Sequence, residues 1–123
     1  MGLSDMSNNK DFLLKNAIEV GADTKVTLGT ISSSDIDLAT GNYFADTLIA
    51  NTTYTISNAG DVQSFQLEVT GASTYTITWP SSIEWAGGVA PSAPAVGETD
   101  VFTFSTDDGG TSYVGVKTAD NLS

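Results

Sequence analysis

The 123-residue chain has no cysteine, no histidine and no arginine. Each absence removes a class of chemistry. Without cysteine there is no disulfide, no thiolate nucleophile and no zinc site built on sulfur. Without histidine the commonest general base near neutral pH is missing. Without arginine no guanidinium can clamp a phosphate or an oxyanion. Cations of any kind are scarce. Lys10, Lys15, Lys25 and Lys117 are the only bases against fifteen acids, for a net charge of -11. Nucleic acid recognition requires a basic surface that displaces counterions, so this chain is excluded from it. An anionic membrane surface would repel it as well. No apolar run approaches the roughly 20 residues of a spanning helix. Met1 to Asn9 is polar and lacks the apolar core of a secretory leader, so synthesis in a cytoplasm is expected.

What remains is ordinary for one globular domain. Hydrophobic residues make up 40% of the chain, enough for a core at this length. The dominant pattern is alternation. Phe65, Leu67 and Val69 alternate with Gln66, Glu68 and Thr70, and Tyr75, Ile77 and Trp79 repeat the pattern after Gly71-Ala72-Ser73. Strand, turn and strand over 64–79 predict a hairpin, closed at Pro80, which cannot donate to a ladder. A second hairpin is expected from Asp100–Ser105 and Thr111–Lys117 about Asp107-Asp108-Gly109-Gly110, where glycine takes positive φ. Shorter strands are expected at 25–31 with Val26 and Leu28 on one face, at 35–39 with Ile36 and Leu38, at 43–50, and at 52–58 with Tyr54 and Ile56. Residues 87–98, rich in glycine and proline, form an irregular loop.

Eight or nine short strands with turns every eight to twelve residues predict an all-β fold, an antiparallel sandwich of jelly-roll type. The domain is expected over 21–118, followed by a flexible tail over 119–123. Residues 1–20 precede it as a tail or anchor. Within them Asp11–Val20 fits a short helix or a strand, with strand preferred because alternation continues downstream. Phe12, Leu13, Leu14 and Ile18 either dock on a neighbouring subunit or form the first strand of the domain's own sheet.

Candidate sites are few. Glu84, Asp100, Asp107 and Asp108 are the carboxylates that a glycosidase pair would draw on, but turn chemistry and solvation explain them without catalysis. Asp35 and Asp37 share a strand face, and Asp107-Asp108 lies in a turn, yet no calcium-loop spacing is present. Gly87-Gly88 and Gly109-Gly110 lack the helix and lysine of a phosphate loop. No metal, cofactor or catalytic residue is therefore expected. Trp79 is in phase with Tyr75 and Ile77 and reads as core. Trp85, beside Gly87-Gly88, either covers an open end of the core or contacts a ligand.

Two segments carry a resemblance. Trp79 to Pro91 reads W-P-x-x-I-x-W-x-G-G-x-x-P. Phe102, Phe104, Asp108-Gly109-Gly110, Thr111, Tyr113 and Gly115 match parts of F-x-F-x-T-x-D-G-G-T-x-[WY]-x-G, with one extra residue before the aspartate-glycine turn. With 40–58 and 63–71, these stretches resemble a small β domain of bacteriophage structural proteins, in tail fibres and other surface proteins of cyanophages and related marine phages. The resemblance implies a non-enzymatic virion protein made in the host cytoplasm. Its expected partners are capsid or tail subunits and further copies of itself, with trimers common in such proteins. Head decoration, capsid fibre and tail-fibre component all fit. A carbohydrate-binding module for host-surface glycans is the alternative, with Trp85 as its contact. The two roles of the N-terminal segment are separable: deleting residues 1–20 should leave a cooperatively folding domain that no longer joins its particle. Normal incorporation of the truncated chain would show that these residues are not an anchor.

Overall fold

The structure, a computed structural model, describes residues 26–122. The segment carrying Phe12, Leu13, Leu14 and Ile18 lies outside the described residues. In chain order the strands are β1 (Thr30–Ser32), β2 (Asp35–Asp37), β3 (Tyr43–Leu48), β4 (Thr52–Thr53), β5 (Thr55–Ser57), β6 (Gln63–Gly71), β7 (Ile77–Thr78), β8 (Ile83–Trp85), β9 (Thr99–Thr106) and β10 (Tyr113–Leu122), with one 3-10 turn at Ala86–Gly88. The fold is all-β, as the alternation requires. Five strands form the main sheet in the order β3-β6-β9-β10-β8. Its inner face is covered by a three-stranded sheet, β1-β2-β5, and a two-stranded one, β4-β7. One core joins the layers, with Ile36, Leu38 and Tyr54 from the cover and Phe44, Leu67 and Phe102 from the main sheet in a single cluster.

The sheets are mixed. The β6–β9, β9–β10 and β1–β2 pairs are antiparallel, whereas β3–β6, β10–β8, β2–β5 and β4–β7 are parallel. This corrects the purely antiparallel expectation, and the reason is topological. A parallel pair needs a crossover of about a dozen residues or more. Residues 49–62, between β3 and β6, supply it by passing through the covering layer. The chain changes sheets within Thr52–Ser57: β4 pairs with β7, β5 pairs with β2, and buried Tyr54 stands between them. Alternation persists because the main sheet keeps one face in solvent whatever the direction of its neighbours.

The expected hairpin over 64–79 does not form. β6 already has β3 on one side and β9 on the other, so no edge is left for 74–79. Gly71 sends the chain away. It donates its N–H to Glu98 O at 2.9 Å and accepts from Gly97 N at 2.7 Å. A Cβ at position 71 would lie 2.5 Å from Ala95 O, so only glycine lets the 94–98 backbone approach. The second hairpin forms as expected, in register from Phe102↔Lys117 to Ser105↔Val114. Two other boundaries shift. The strand expected over 25–31 narrows to β1, leaving Val26 and Leu28 exposed. The tail expected after 118 instead continues β10 to Leu122, which pairs with Thr99.

That extension has a cause. Asp100 is 1% exposed on the inner face of β9. Lys117 reaches it at 3.3 Å, and Asn121 N donates to it at 2.9 Å. The end of β10 is thus tied to a buried charge. Burial lowers the Lys117 pKa, but hydrogen bonds and charge attraction from Asp120 and Asp100 outweigh it and raise it overall. The stabilisation this shift represents is complete below the ordinary lysine value of 10.5 and is lost as pH rises through the higher folded value. Replacing Lys117 by Met leaves Asp100 buried with one donor. The expected cost is about 3 kcal/mol, at the low end for a broken buried pair because the Lys117 side chain is 24% exposed. Urea unfolding checks this, and a loss under about 1 kcal/mol, the ceiling for a surface pair, would show that Asp100 does not need its cation.

Candidate functional site

The aromatic residues of the inner layer converge on Trp79. Its ring lies 4.9 Å from Phe102 and 5.1 Å from Trp85, both edge-on, and 5.5 Å from Tyr54 and 5.7 Å from Phe104, both tilted. Such geometries suit the aromatic quadrupole, at about 0.5–1.5 kcal/mol per pair beyond area burial. The local sequence dictates the placement. β7 ends just before Trp79-Pro80, and Ile83 N donates to Pro80 O at 3.2 Å, making residues 80–83 a turn. Trp79 Nε1 donates to Pro91 O at 3.4 Å, which ties the proline-rich loop to the cluster. Tyr54 donates its hydroxyl to Asp46 at 2.6 Å. Burial, then that bond and the carboxylate charge, push the phenol far above its usual range.

At one end of this cluster a groove of about 410 Å³ opens between three segments: Thr53–Ile56, Trp79–Ser82 and the β9–β10 turn at Gly110 and Tyr113. The turn is internally built. Gly109 and Gly110 take φ of 71° and 88°. Buried Thr106 donates to Asp108 at 2.8 Å and accepts from Gly110 N at 2.9 Å. Asp108 also accepts from Ser112 N at 2.9 Å and from the Ser112 hydroxyl at 2.7 Å. These donors, the Ser112 backbone first, hold its carboxyl down at about 2. The turn therefore places Gly110 and Tyr113 rigidly on the groove wall.

The acids singled out in the sequence are dispersed. Asp100 and Asp107 lie at opposite ends of β9, roughly 20 Å apart at 3.3 Å per residue, beyond the 5–9.5 Å of a glycosidase pair. Asp35 accepts from Ser57 and Thr55 hydroxyls, each at 2.6 Å, and these bonds lower its pKa. Asp37 accepts from Ala39 N and Asn58 Nδ2. Among the described residues no three acids gather as a metal site would need. Trp85 is half-buried at the end of β8, packed on Trp79, Phe102 and Phe104, and does not line the groove. Gly115 makes room beside it, since a Cβ there would lie 2.8 Å from Ile83 Cγ2 and 3.0 Å from Phe104. The sequence marked Trp79 as core and placed Tyr113 only in the second hairpin and its motif. Their place on a groove depends on the crossover at Tyr54, which alternation does not encode.

No protein-family model matches the chain, and no curated protein or solved structure matches it.

The Asp108 network has a pH signature. A depressed carboxylate stabilises the turn fully above the ordinary 3.8 and ceases to do so as pH falls through about 2. The Ser112 amide resonance should therefore titrate near pH 2 and lose that titration in Asp108→Ala. A midpoint near 3.8 would mean that Asp108 does not accept these bonds in solution.

Proposed function

We propose that the chain is a structural protein of a bacteriophage particle surface, a head decoration, capsid fibre or tail-fibre component, acting by assembly and not by catalysis. One observation supports this beyond the sequence resemblance: the character of the outer face of the five-stranded sheet. Register places Tyr43, Gln66, Thr103 and Val116 in one row across four strands, with Ala45, Glu68 and Val101 in the next and Ser105, Val114 and Glu84 in another. On a chain of net charge -11 this face carries two acids, Glu68 and Glu84, and Glu68 accepts from the Tyr43 hydroxyl at 3.1 Å. No lysine stands on it, because Lys117 is in register with Phe102 on the inner face, where it meets Asp100. Val114 and Val116 stay 57% and 39% exposed. A broad, weakly charged sheet face is a contact surface.

The open edge of β10 is the lesser candidate. Beyond Gly115 it has no partner strand among the described residues, but its pairing with β9 is irregular between Thr99 and Phe102. Such bulges bend a strand and blunt its edge. The face is preferred, with a neighbouring copy of the chain as its occupant and other virion subunits beyond. Five strands about 4.8 Å apart and some 20 Å long offer roughly 500 Å². That is small for a specific interface, so many linked contacts in a particle would hold it.

Immunogold labelling of intact particles should mark the head or the tail. Val116→Lys should change unfolding stability by no more than about 0.5 kcal/mol, as exposed positions do, and should abolish incorporation. Unlabelled particles, or normal incorporation of the variant, would remove this reading.

A further inference from the structure

The groove contains a polar group that the fold does not use. Tyr113 is 4% exposed, and its ring packs edge-on against Phe65. Its hydroxyl end lies beside Gly110, where a Cβ would sit 2.7 Å away, and both residues line the groove. Among the described residues this hydroxyl has no hydrogen-bond partner: burial raises its pKa, then the charge of Asp108, and no bond contributes. Buried tyrosine hydroxyls are almost always paired, because leaving one unpaired is destabilising. The contrast with Tyr54, which is as deeply buried but bonded to Asp46, sharpens the point.

The remaining lining narrows the ligand. Ser81, Ser82 and Thr53 face the same space, and their hydroxyls also make no hydrogen bond among the described residues. Hydroxyls both donate and accept, so the complementary ligand offers both on neighbouring atoms. No lysine, aspartate or glutamate lines the groove. An anion would find no cation in the lining and a net charge of -11 around it, and a cation would find no carboxylate in the lining to ligate it. Trp79 and Pro80 add apolar surface to the wall. The volume of about 410 Å³ lies in the range of small-ligand sites.

We propose that this groove binds one or two pyranose units of a neutral glycan, with the Tyr113 hydroxyl as the buried hydrogen-bond partner of a sugar hydroxyl. Ser81 and Ser82 bond at the rim, and Trp79 and Pro80 pack on the C–H surface of the ring. The contact differs from the one expected at Trp85. It uses none of the outer sheet face, so glycan binding and packing between subunits are compatible.

The test uses the full chain and a panel of glucose, galactose, mannose, N-acetylglucosamine and their disaccharides, followed by two-dimensional amide spectra and tryptophan fluorescence. At least one sugar should produce saturable shifts at Ser81, Ser82 and Gly110. Tyr113→Phe should weaken that binding about tenfold, the loss of one hydrogen bond. It should also unfold at the same temperature as the parent or higher, because it deletes an unpaired buried hydroxyl. Ser105→Ala, on the outer face, should bind like the parent. Silence of the groove amides at about 100 mM of every sugar, far above a weak millimolar Kd, would overturn the proposal. So would undiminished binding by Tyr113→Phe, or a clear fall in its melting temperature, which would mean that the hydroxyl is already bonded. Saturation of the same amides by neutral peptides but by no sugar would replace the glycan with a peptide. Particle incorporation of Tyr113→Phe reports separately on the structural reading.

Discussion

The inner face of β9 is the constraint on which the other elements depend. It reads Asp100, Phe102, Phe104, Thr106, and all four are buried. The two phenylalanines form the middle of an aromatic layer: Phe104 stacks on Phe65 at 4.9 Å and meets Trp85 at 5.5 Å, while Phe102 meets Trp79 at 4.9 Å. Each such side chain contributes about 1.5–3 kcal/mol by leaving water. The two polar ends would cancel much of that gain if they were left bare. Each is answered from the same neighbour. Asp100 is met by Lys117 and Asn121 N, and Thr106 is locked into the turn that opens β10. One strand thus joins two sheet neighbours, a packed core and both ends of its own hairpin.

The covering layer follows from that arrangement. An aromatic layer this wide must be roofed, and among the described residues no α-helix does it. Short strands do it instead, and they fall where crossovers between parallel partners pass over the main sheet. β4, β5 and β7 are only two or three residues long, too short to be stable alone. They persist because Tyr54, Ile56 and Ile77 rest on the main sheet. Their irregular ends leave the groove at one end of the roof.

Much of this was legible in the sequence, for identifiable reasons. Phe65, Leu67 and Val69 alternate cleanly because one face of β6 meets the core and the other meets solvent, so strand identity and inward residues could be read directly. The Asp-Asp-Gly-Gly turn was legible because two positive φ angles need glycine. Strand direction was not. Period-2 alternation is the same for parallel and antiparallel neighbours when one face is open, so the pairing of β6 with β3, and not with 74–79, had no local signal. The continuation of β10 over Ala119–Leu122 was hidden for another reason: its cause is a long-range bond from Asn121 to Asp100 in a polar stretch that reads as a tail. The candidate site was legible in part. Trp79 was marked as core and Tyr113 was placed on a hairpin strand, but whether an inward hydroxyl has a partner is a tertiary fact. The apolar run at Phe12, Leu13, Leu14 and Ile18 remains a sequence-level feature, outside the described residues.

A chain without histidine, arginine or cysteine can offer a partner only the groups it has left. These are hydroxyls, amides, carboxylates and aromatic surface. The described aspartates discussed above already accept internal bonds, apart from Asp107, and so contribute to turns and strand ends before any partner arrives. Hydroxyls and aromatic surface remain, and they are distributed on two separate regions. The outer face sets Thr103, Ser105, Val114 and Val116 in register rows with Tyr43, Gln66 and Glu68, the surface proposed above for contact between copies. The groove holds tyrosine, serine and tryptophan around a concave space, which suits a small neutral ligand. The hairpin turn serves both. Thr106 and Asp108 set the angle at which β10 leaves β9, and so place Val114 and Val116 outward in the same stroke that places Tyr113 inward on the groove.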